Sequence, residues 1–246
     1  MKYDGQISAP DAGQVGTGAA ERMARMCFVG WNDACDALER AVEALATDEH
    51  PGVRAMAADA LGRIAGTEAR QALGQALLQE TCDWVRERCA VALGDIGDRR
   101  DIPVLLDALR FDASGNVSYH AARALAALQD PRIVETLLFD LQHGSVRDRV
   151  GSAQGLGWLN EISAVGPLTE AMRTDPYCFL PAMFSLHSVG CEDWEQISAE
   201  AVRSWKASGR EAELRAASEV ALPGKEDLFD YIMSMWEPQQ VETASS

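Results

Sequence analysis

Residues 85–98 read VRERCAVALGDIGD, and residues 53–66, which begin 32 positions earlier, read VRAMAADALGRIAG. Both stretches start with a Val-Arg pair and carry Ala-Leu-Gly at the same later positions. Residues 116–130 form a third copy, and looser copies cover residues 148–160 and 178–190. Self-similarity at a fixed period of this length is typical of repeat proteins, so the chain is predicted to be a row of similar structural units.

Each copy is followed by a second apolar segment that keeps the same period. Its most regular positions are separated by 32, 32, 32 and 31 residues, and they are Leu45, Leu77, Leu109, Leu141 and Met172. Within the first segment, Val53, Ala57 and Leu61 follow the spacing of one helical face. Gly97 stands just past the first segment of its unit, where the residue after a helix is commonly glycine. Each unit is therefore predicted to be two helices joined by a short turn.

One helix pair of this kind cannot bury its apolar face alone, so neighbouring pairs are expected to stack. Small residues recur on the first helices and would let neighbouring helices approach closely; they are Ala57, Cys89, Ala121, Ser152 and Ala182. We therefore predict an all-α fold, an α-solenoid of stacked antiparallel helix pairs with about five HEAT-like units and further capping helices at the C-terminal end.

The run from Val85 to Asp98 resembles the short HEAT-like repeats first noted in phycobilisome lyases. Their pattern is a Val-Arg pair followed by Ala-Ala, Ala-Leu-Gly and an Ile-Gly-Asp turn, and it stands here almost unaltered. The resemblance covers about residues 31–190 and implies the solenoid fold. It implies little about activity, because the same solenoid serves scaffolds, lyases, hydroxylases and glycosylases.

The sequence predicts four segments along the chain. They are a flexible tail over residues 1–18, a HEAT-like repeat solenoid over residues 19–193, C-terminal capping helices over residues 194–237 and a flexible tail over residues 238–246. The capping helices are predicted at residues 194–206, 209–221 and 225–236, with breaks at Gly209 and at the pair Pro223-Gly224.

The composition narrows the classes of partner. The chain has 246 residues, with 38 acidic against 22 basic side chains and a formal charge of −16. Such a surface repels phosphate backbones, so nucleic acid is not an expected partner. The sequence shows no secretory leader and no apolar run long enough for a membrane span. Its six cysteines form no C-x-x-C pair. These features favour a cytoplasmic protein with reduced thiols.

The four histidines form no motif typical of a metal or cofactor site, so we predict no metal site and no cofactor. A resemblance to deoxyhypusine hydroxylase, an iron enzyme on this fold, would require His-Glu pairs directly after the Val-Arg pairs. No His-Glu dipeptide occurs anywhere in the chain. No H-E-x-x-H motif or Cys/His cluster offers a zinc site.

The most suggestive residues lie near the N-terminal ends of the first helices, at positions that stacking would bring side by side. They are Trp84, Arg88, Tyr119, His120, Arg147, Arg149 and Tyr177. Arginine pairs with carboxylates in a forked geometry, and aromatic rings provide flat contact surfaces, so these residues are candidates for binding a partner or a small anionic ligand. The alternative is that the aromatic rings cover repeat junctions and the arginines are solvated.

If the protein is an enzyme, His120 is the candidate acid–base group and Tyr119 its partner. Cys82 and Cys178 would be nucleophiles only if nearby arginines activated their thiols. Arg54 and Arg86 are predicted to have a structural role. In HEAT-like repeats, an arginine at this position usually pairs with an aspartate in a turn and so connects consecutive units. The candidate aspartates are Asp48, Asp83 and Asp98.

A further group of large apolar residues lies toward the C-terminus. Its members are Trp194, Trp205, Met233, Met235 and Trp236. Such a group is expected to form the core of the closing helices, or a docking surface if part of it is exposed.

Two functions follow from these observations. The favoured one is a HEAT-repeat scaffold that recognises a protein or peptide partner through its curved surface, without catalysis. The alternative is a lyase-type enzyme, or a binding subunit of one, that acts on an anionic small molecule. The resemblance to phycobilisome lyases implies this alternative, because those proteins attach or detach tetrapyrroles. An enzyme would require an enclosed pocket of several hundred Å³ at the predicted site, roughly the size range of small-molecule sites.

Overall fold

The computed structural model describes residues 18, 19, 21, 22, 34–221 and 226–235. These residues fold into α-helices and short 3-10 turns, and they contain no β-strand. The helices are α1 Ala34–Thr47, α2 Pro51–Ile64, α3 Gly66–Gln79, α4 Asp83–Ile96, α5 Ile102–Phe111, α6 Gly115–Leu128, α7 Pro131–His143, α8 Val146–Trp158, α9 Val165–Thr174, α10 Phe179–Ser188, α11 Trp194–Ala207, α12 Glu211–Ala221 and α13 Glu226–Met235. The 3-10 turns are Arg99–Asp101 and Ile162–Ala164.

The chain divides into two compact units, Met1–Ile133 and Val134–Ser246. In the first unit, the helices that begin with the repeated Val-Arg segment, here called first helices, are α2, α4 and α6. The second helices of that unit are α1, α3 and α5. Each first helix packs on the next first helix, and these contacts are far more extensive than those between neighbouring second helices. The predicted all-α stack of helix pairs is confirmed.

Helix α2 shows how the local sequence sets the boundaries of a first helix. Pro51 occupies the first turn, where its missing N–H costs nothing, and the His50 side chain caps the helix by accepting a hydrogen bond from Gly52 N at 3.1 Å. The helix ends before Ala65, which adopts a positive φ of 59°. The face predicted to be apolar is fully buried, including Val53 and Leu61.

Glycine makes the close approach of neighbouring first helices in the first unit possible. A Cβ atom added to Gly62 would lie 2.9 Å from Ala92 Cβ, and one added to Gly94 would lie 2.8 Å from Ala124 Cβ. Both separations are shorter than any van der Waals contact. The two glycines therefore occupy equivalent surroundings, as the 32-residue period predicts.

The second unit contains an equivalent close approach between α8 and α10. A Cβ atom on Gly157 would meet Ser185 Cβ at 2.8 Å and Ser185 Cα at 2.9 Å. Leu168 of α9 is fully buried, as are Leu73 and Leu105, its counterparts on second helices of the first unit. Both units are therefore built by the same packing rule, with small residues between first helices and leucines beneath them.

Arginines of the Val-Arg pairs bridge consecutive turns in the first unit, and we call each such arrangement an arginine bridge. Arg86 donates from Nε and Nη2 to the Asp112 carboxylate at 2.7 and 2.8 Å, and from Nη1 to the carbonyl oxygens of Glu80 and Thr81 at 2.9 and 3.1 Å. Arg54 makes the corresponding pair with the Glu80 carboxylate at 2.7 and 3.0 Å. The structural role expected for both arginines is observed.

The carboxylate partners of these bridges differ from the predicted ones. Asp83 accepts a hydrogen bond from the adjacent Trp84 N at 2.8 Å, and Asp48 pairs at 2.7 Å with Arg22, which stands 26 residues before it. Asp98 lies between Arg70 and Arg100. The reason is positional, because each bridging carboxylate stands 26 residues after its arginine, at the end of the following second helix.

The last three helices close the second unit. Trp205 is buried and donates its indole N–H to the carbonyl oxygen of Met172 at 3.1 Å, while Met233 is also buried, as expected for a closing core. Trp194 is half-buried at the start of α11. Trp236 and the Met235 side chain lie outside the described residues, and so do the two predicted tails apart from Gly18.

Candidate functional site

The exposed face of the first helices in the first unit carries charged side chains from α2, α4 and α6. We call it the first-helix face, and its members are Asp59, Arg63, Arg88, Asp95, His120 and Arg123. They share one side because the 32-residue period places Arg63 with Asp95 and Arg88 with His120 at equivalent positions. Stacking then turns equivalent positions into neighbours.

One ion pair joins α4 to α2 across this face. Arg88 Nε donates to Asp59 Oδ1 at 2.7 Å, and its Nη2 lies 2.6 Å from the same oxygen. About a third of each side chain remains exposed, 33% for Arg88 and 30% for Asp59. Exposed pairs of this kind contribute at most about 1 kcal/mol to stability, so Arg88 keeps the capacity to exchange its partner.

A second polar contact joins α6 to α4. His120 Nε2 lies 3.3 Å from Glu87 Oε1, and Glu87 is buried apart from 8% of its surface. The Tyr119 ring packs edge-on against the imidazole with centroids 5.2 Å apart, and the Arg123 guanidinium lies 5.8 Å from the Tyr119 ring centroid. Tyr119 and His120 are therefore neighbours, as the sequence suggested.

The surroundings of His120 hold its imidazole neutral. Burial lowers the pKa of His120 below its ordinary value of 6.5; the Glu87 carboxylate opposes this shift, and the Arg123 and Arg88 guanidinium groups add to it. Because Nε2 faces a carboxylate oxygen, we place the proton of the neutral ring on Nε2, which leaves Nδ1 as a hydrogen-bond acceptor. His120 is thus suited to accept a hydrogen bond from a ligand.

Two hollows lie along the first-helix face. The larger one, about 330 Å³, is lined by Asp59, Gly62, Arg63, Arg88, Ala92 and Asp95. The smaller one, about 140 Å³, is lined by residues that include Gly94, Asp95, His120 and Arg123. Asp95 lines both, so the hollows adjoin each other, and we call the pair the groove across α2, α4 and α6. The glycines that permit close helix packing also leave room in the groove, because they carry no side chain.

The predicted site residues of the first unit are only partly brought together. Arg88 and His120 line the groove, and Tyr119 packs against His120 with 43% of its surface exposed. Trp84 lies in the first turn of α4, half-buried, and lines neither hollow. The aromatic contribution to this face therefore comes from Tyr119.

The predicted site residues of the second unit have other surroundings. Arg149 forms an arginine bridge, donating to Asp175 at 2.5 Å and to the carbonyl oxygen of Gly144 at 2.9 Å. These contacts give Arg149 the same structural role as Arg86, and its role in binding a ligand stays a prediction. Arg147 is exposed, and Tyr177 is half-buried with its backbone N–H bonded to Asp175 at 3.0 Å.

The two cysteine candidates, Cys82 and Cys178, have different surroundings. Cys178 is buried, and burial together with the nearby Asp175 carboxylate raises the pKa of its thiol far above the ordinary range. The Arg149 guanidinium opposes this rise but is bonded to Asp175, so the condition set for a nucleophilic Cys178 is not met. Burial likewise raises the pKa of Cys89, which packs between helices as expected. Cys82 is half-buried at the start of α4, with its backbone N–H bonded to Glu80 at 2.8 Å.

Sequence reasoning missed Asp59, Glu87, Asp95 and Arg123 as parts of this surface. The available signal was the repeat period, since Asp95 is the counterpart of Arg63, 32 residues away. Asp59 and Arg123 occupy equivalent positions on α2 and α6 at twice that distance. The sign of each charge is not periodic, so the period identifies the face and not the pairing.

Among the described residues, no three or more His, Cys, Asp and Glu side chains are grouped so that they could hold a metal ion. None of the helices within those residues is long and apolar enough to cross a membrane.

Stacked helix pairs, repeated glycine contacts and arginine bridges define a repeat protein of the α-solenoid class. The sequence profile of HEAT repeats matches residues 38–115 and 102–179, which together span more than half of the 246 residues. The chain belongs to the HEAT repeat family, and the resemblance noted from the sequence is confirmed at that level.

Among solved structures, the chain is similar to one titled as the complex of CpcE and CpcF of phycocyanin lyase from Nostoc sp. PCC7120. The sequences are 18% identical, the TM-score is 0.35, and the match covers 79% of this chain and 91% of that chain. No curated protein matches the chain. Function must therefore be argued from the side chains, because the HEAT fold serves many activities.

Proposed function

We propose that the chain is a HEAT-repeat binding protein that recognises a segment of a partner protein along the groove of the first-helix face. The observation that carries this proposal is that the two hollows lie side by side, share Asp95 and together extend over three helices. An extended polypeptide contacts successive positions along such a groove. A compact small molecule would instead need one enclosed site.

The lining of the groove supports recognition of acidic groups. Arg63 and Arg123 are exposed on α2 and α6, and Arg88 lies between them on α4. Guanidinium groups bind carboxylates through paired hydrogen bonds, and neutral His120 adds an acceptor for a backbone N–H. A partner segment with acidic side chains at intervals matches this pattern, even though the chain as a whole is acidic.

The packing of the first unit also supports this choice of surface. First helices approach each other more closely than second helices do. We expect a stack whose helices pack more tightly on one side to bend toward that side. The first-helix face would then be concave. Concave surfaces of helical repeats are their usual binding surfaces.

The lyase alternative receives less support from the geometry. The hollow that His120 lines measures about 140 Å³, well below the roughly 300 Å³ at which ordinary small-molecule sites begin. The adjoining hollow of about 330 Å³ is not lined by His120. His120 faces Glu87, and Arg149, which would have completed the predicted cluster, is held in an arginine bridge. These contacts favour binding over catalysis at this face.

The test is a selection of displayed random peptides against the whole chain. Peptides rich in Asp and Glu should be among those selected, and the double variant Arg63→Glu/Arg123→Glu should lower the affinity of these acidic peptides by at least about tenfold, because like charges then face each other. Arg99→Glu is the matched control, since Arg99 is exposed and lines neither hollow. Equal binding to the wild type and to the double variant would refute the proposed groove.

A further inference from the structure

The second unit exposes a row of aromatic side chains on its own first helices. We call it the aromatic strip, and it consists of Trp158 of α8, Phe184 and His187 of α10, and Trp194 at the start of α11. Trp158 is 36% exposed and Phe184 is 39% exposed, while His187 is also exposed. In the first unit, the equivalent surface is charged, so the two units present different chemistry.

Helix α8 packs against α10 beside two members of the strip. The two helices are in close contact at Gly157 and Ser185. Trp158 comes directly after Gly157 in the chain, and Phe184 comes directly before Ser185. Phe184 and His187 are three residues apart and share one side of α10. The His187 ring then meets the Trp194 ring edge-on, with centroids 4.8 Å apart.

Carboxylates lie at both ends of the aromatic strip. Glu161 follows Trp158 closely in the chain, and Glu192, Asp193 and Glu195 surround Trp194, all three of them exposed. From residue 150 to residue 202, the sequence has seven acidic residues and a single Arg or Lys. That residue, Arg173, is bonded to Glu200 at 3.1 Å. The surroundings of the strip are therefore strongly negative.

We propose that the aromatic strip binds a basic segment of a partner protein in which Arg or Lys residues alternate with apolar ones. Cations are attracted to the faces of Trp and Phe rings, and guanidinium groups also bind carboxylates through strong hydrogen bonds. An alternating segment would set its cations between the rings and the flanking carboxylates. Its apolar side chains would cover the exposed surfaces of Trp158 and Phe184.

Charge complementarity selects this occupant over the other candidates. A second copy of the chain carries the same formal charge of −16, and nucleic acid is a polyanion, so both are repelled by the carboxylates of the strip. The strip is separate from the groove of the first-helix face, and its occupant has the opposite charge. This proposal therefore stands independently of the function proposed above.

The test uses the whole chain and a fluorescent peptide in which Arg and Leu alternate. Titration followed by fluorescence anisotropy should give saturable binding. The variant Trp158→Ala/Phe184→Ala should lower the affinity by about tenfold through loss of two cation–ring contacts. Phe139→Ala/Tyr231→Ala is the matched control, because it removes two other exposed rings of the same unit. Equal weakening by both variants, or absence of binding, would overturn the proposal.

A second pair of variants does not depend on how Trp158 and Phe184 pack. Glu192→Gln/Glu195→Gln neutralises two exposed carboxylates beside Trp194 and should weaken the same peptide while leaving the helical circular dichroism unchanged. Arg63→Glu/Arg123→Glu in the first unit should leave this affinity unchanged, so failure of one site is distinguishable from failure of the other. A peptide in which Glu and Leu alternate should not bind to the strip, and its tight binding there would contradict the assignment.

Discussion

Arg86 and Arg88 lie two residues apart on α4, yet their replacement by alanine is expected to have very different effects on stability. The Arg86 side chain is 14% exposed and its partner Asp112 is 6% exposed. The Arg88 side chain is 33% exposed and its partner Asp59 is 30% exposed. The same substitution on one helix thus compares a buried ion pair with a surface pair.

The expected magnitude follows from what each substitution leaves behind. Arg86→Ala strands the Asp112 carboxylate and removes the donor for two loop carbonyl groups. Breaking a buried pair costs about 3–5 kcal/mol. Asp112 still accepts a hydrogen bond from Ser114 N at 2.8 Å, which argues for the lower end, about 3 kcal/mol. Arg88→Ala should cost less than about 1 kcal/mol.

The assay is urea denaturation followed by circular dichroism, which gives the free energy of unfolding for each variant. The double variant Arg86→Ala/Asp112→Asn should recover part of the loss, because it removes the stranded charge while keeping an acceptor for Ser114 N. Equal losses for Arg86→Ala and Arg88→Ala would refute the reasoning. A double variant less stable than Arg86→Ala alone would refute it as well.

Three further predictions concern packing, reactivity and pH. Gly94→Ala should destabilise the chain in thermal unfolding, because its Cβ would lie 2.8 Å from Ala124 Cβ and overpacking costs about 1–3 kcal/mol. Gly74→Ala should instead stabilise it by up to about 1 kcal/mol, because its Cβ would have ordinary contacts at 3.8 Å. Native Cys178 should resist iodoacetamide until the chain unfolds, as measured by peptide mass spectrometry; rapid native labelling would contradict its burial. Because the pKa of His120 is lowered from 6.5 in the folded chain, the imidazole binds a proton more readily in the unfolded chain. The stability of the fold should therefore decrease as the pH drops below 6.5, and His120→Gln should reduce that decrease.

The sequence predicts the stack well because its physical causes recur at every repeat. Close helix contact demands a glycine or another small residue at each junction, so Gly62 and Gly94 appear at the repeat period. Buried leucines of the second helices recur for the same reason. The partners of the arginine bridges were not predictable in this way, because turn geometry decides that Arg86 reaches Asp112 rather than Asp83.

The candidate site was predicted less completely than the fold. Arg88 and His120 were identified because they occupy equivalent repeat positions with unusual chemistry. The ion pair of Arg149 with Asp175 was not foreseen, since the sequence around Arg149 does not show which carboxylate its guanidinium reaches. Surface charges such as Asp95 and Arg123 carry no packing constraint, so no sequence pattern distinguishes a groove residue from a solvated one.

The proposed binding role of the first-helix face can be tested directly by site-specific photocrosslinking in the native host. A photoreactive amino acid is placed at position 63, 123, 99 or 78, the last on exposed Leu78 of a second helix. Positions 63 and 123 should both yield a covalent adduct with the same protein, and positions 99 and 78 should yield none. Adducts at 99 or 78 without any at 63 and 123 would contradict the role assigned to this face.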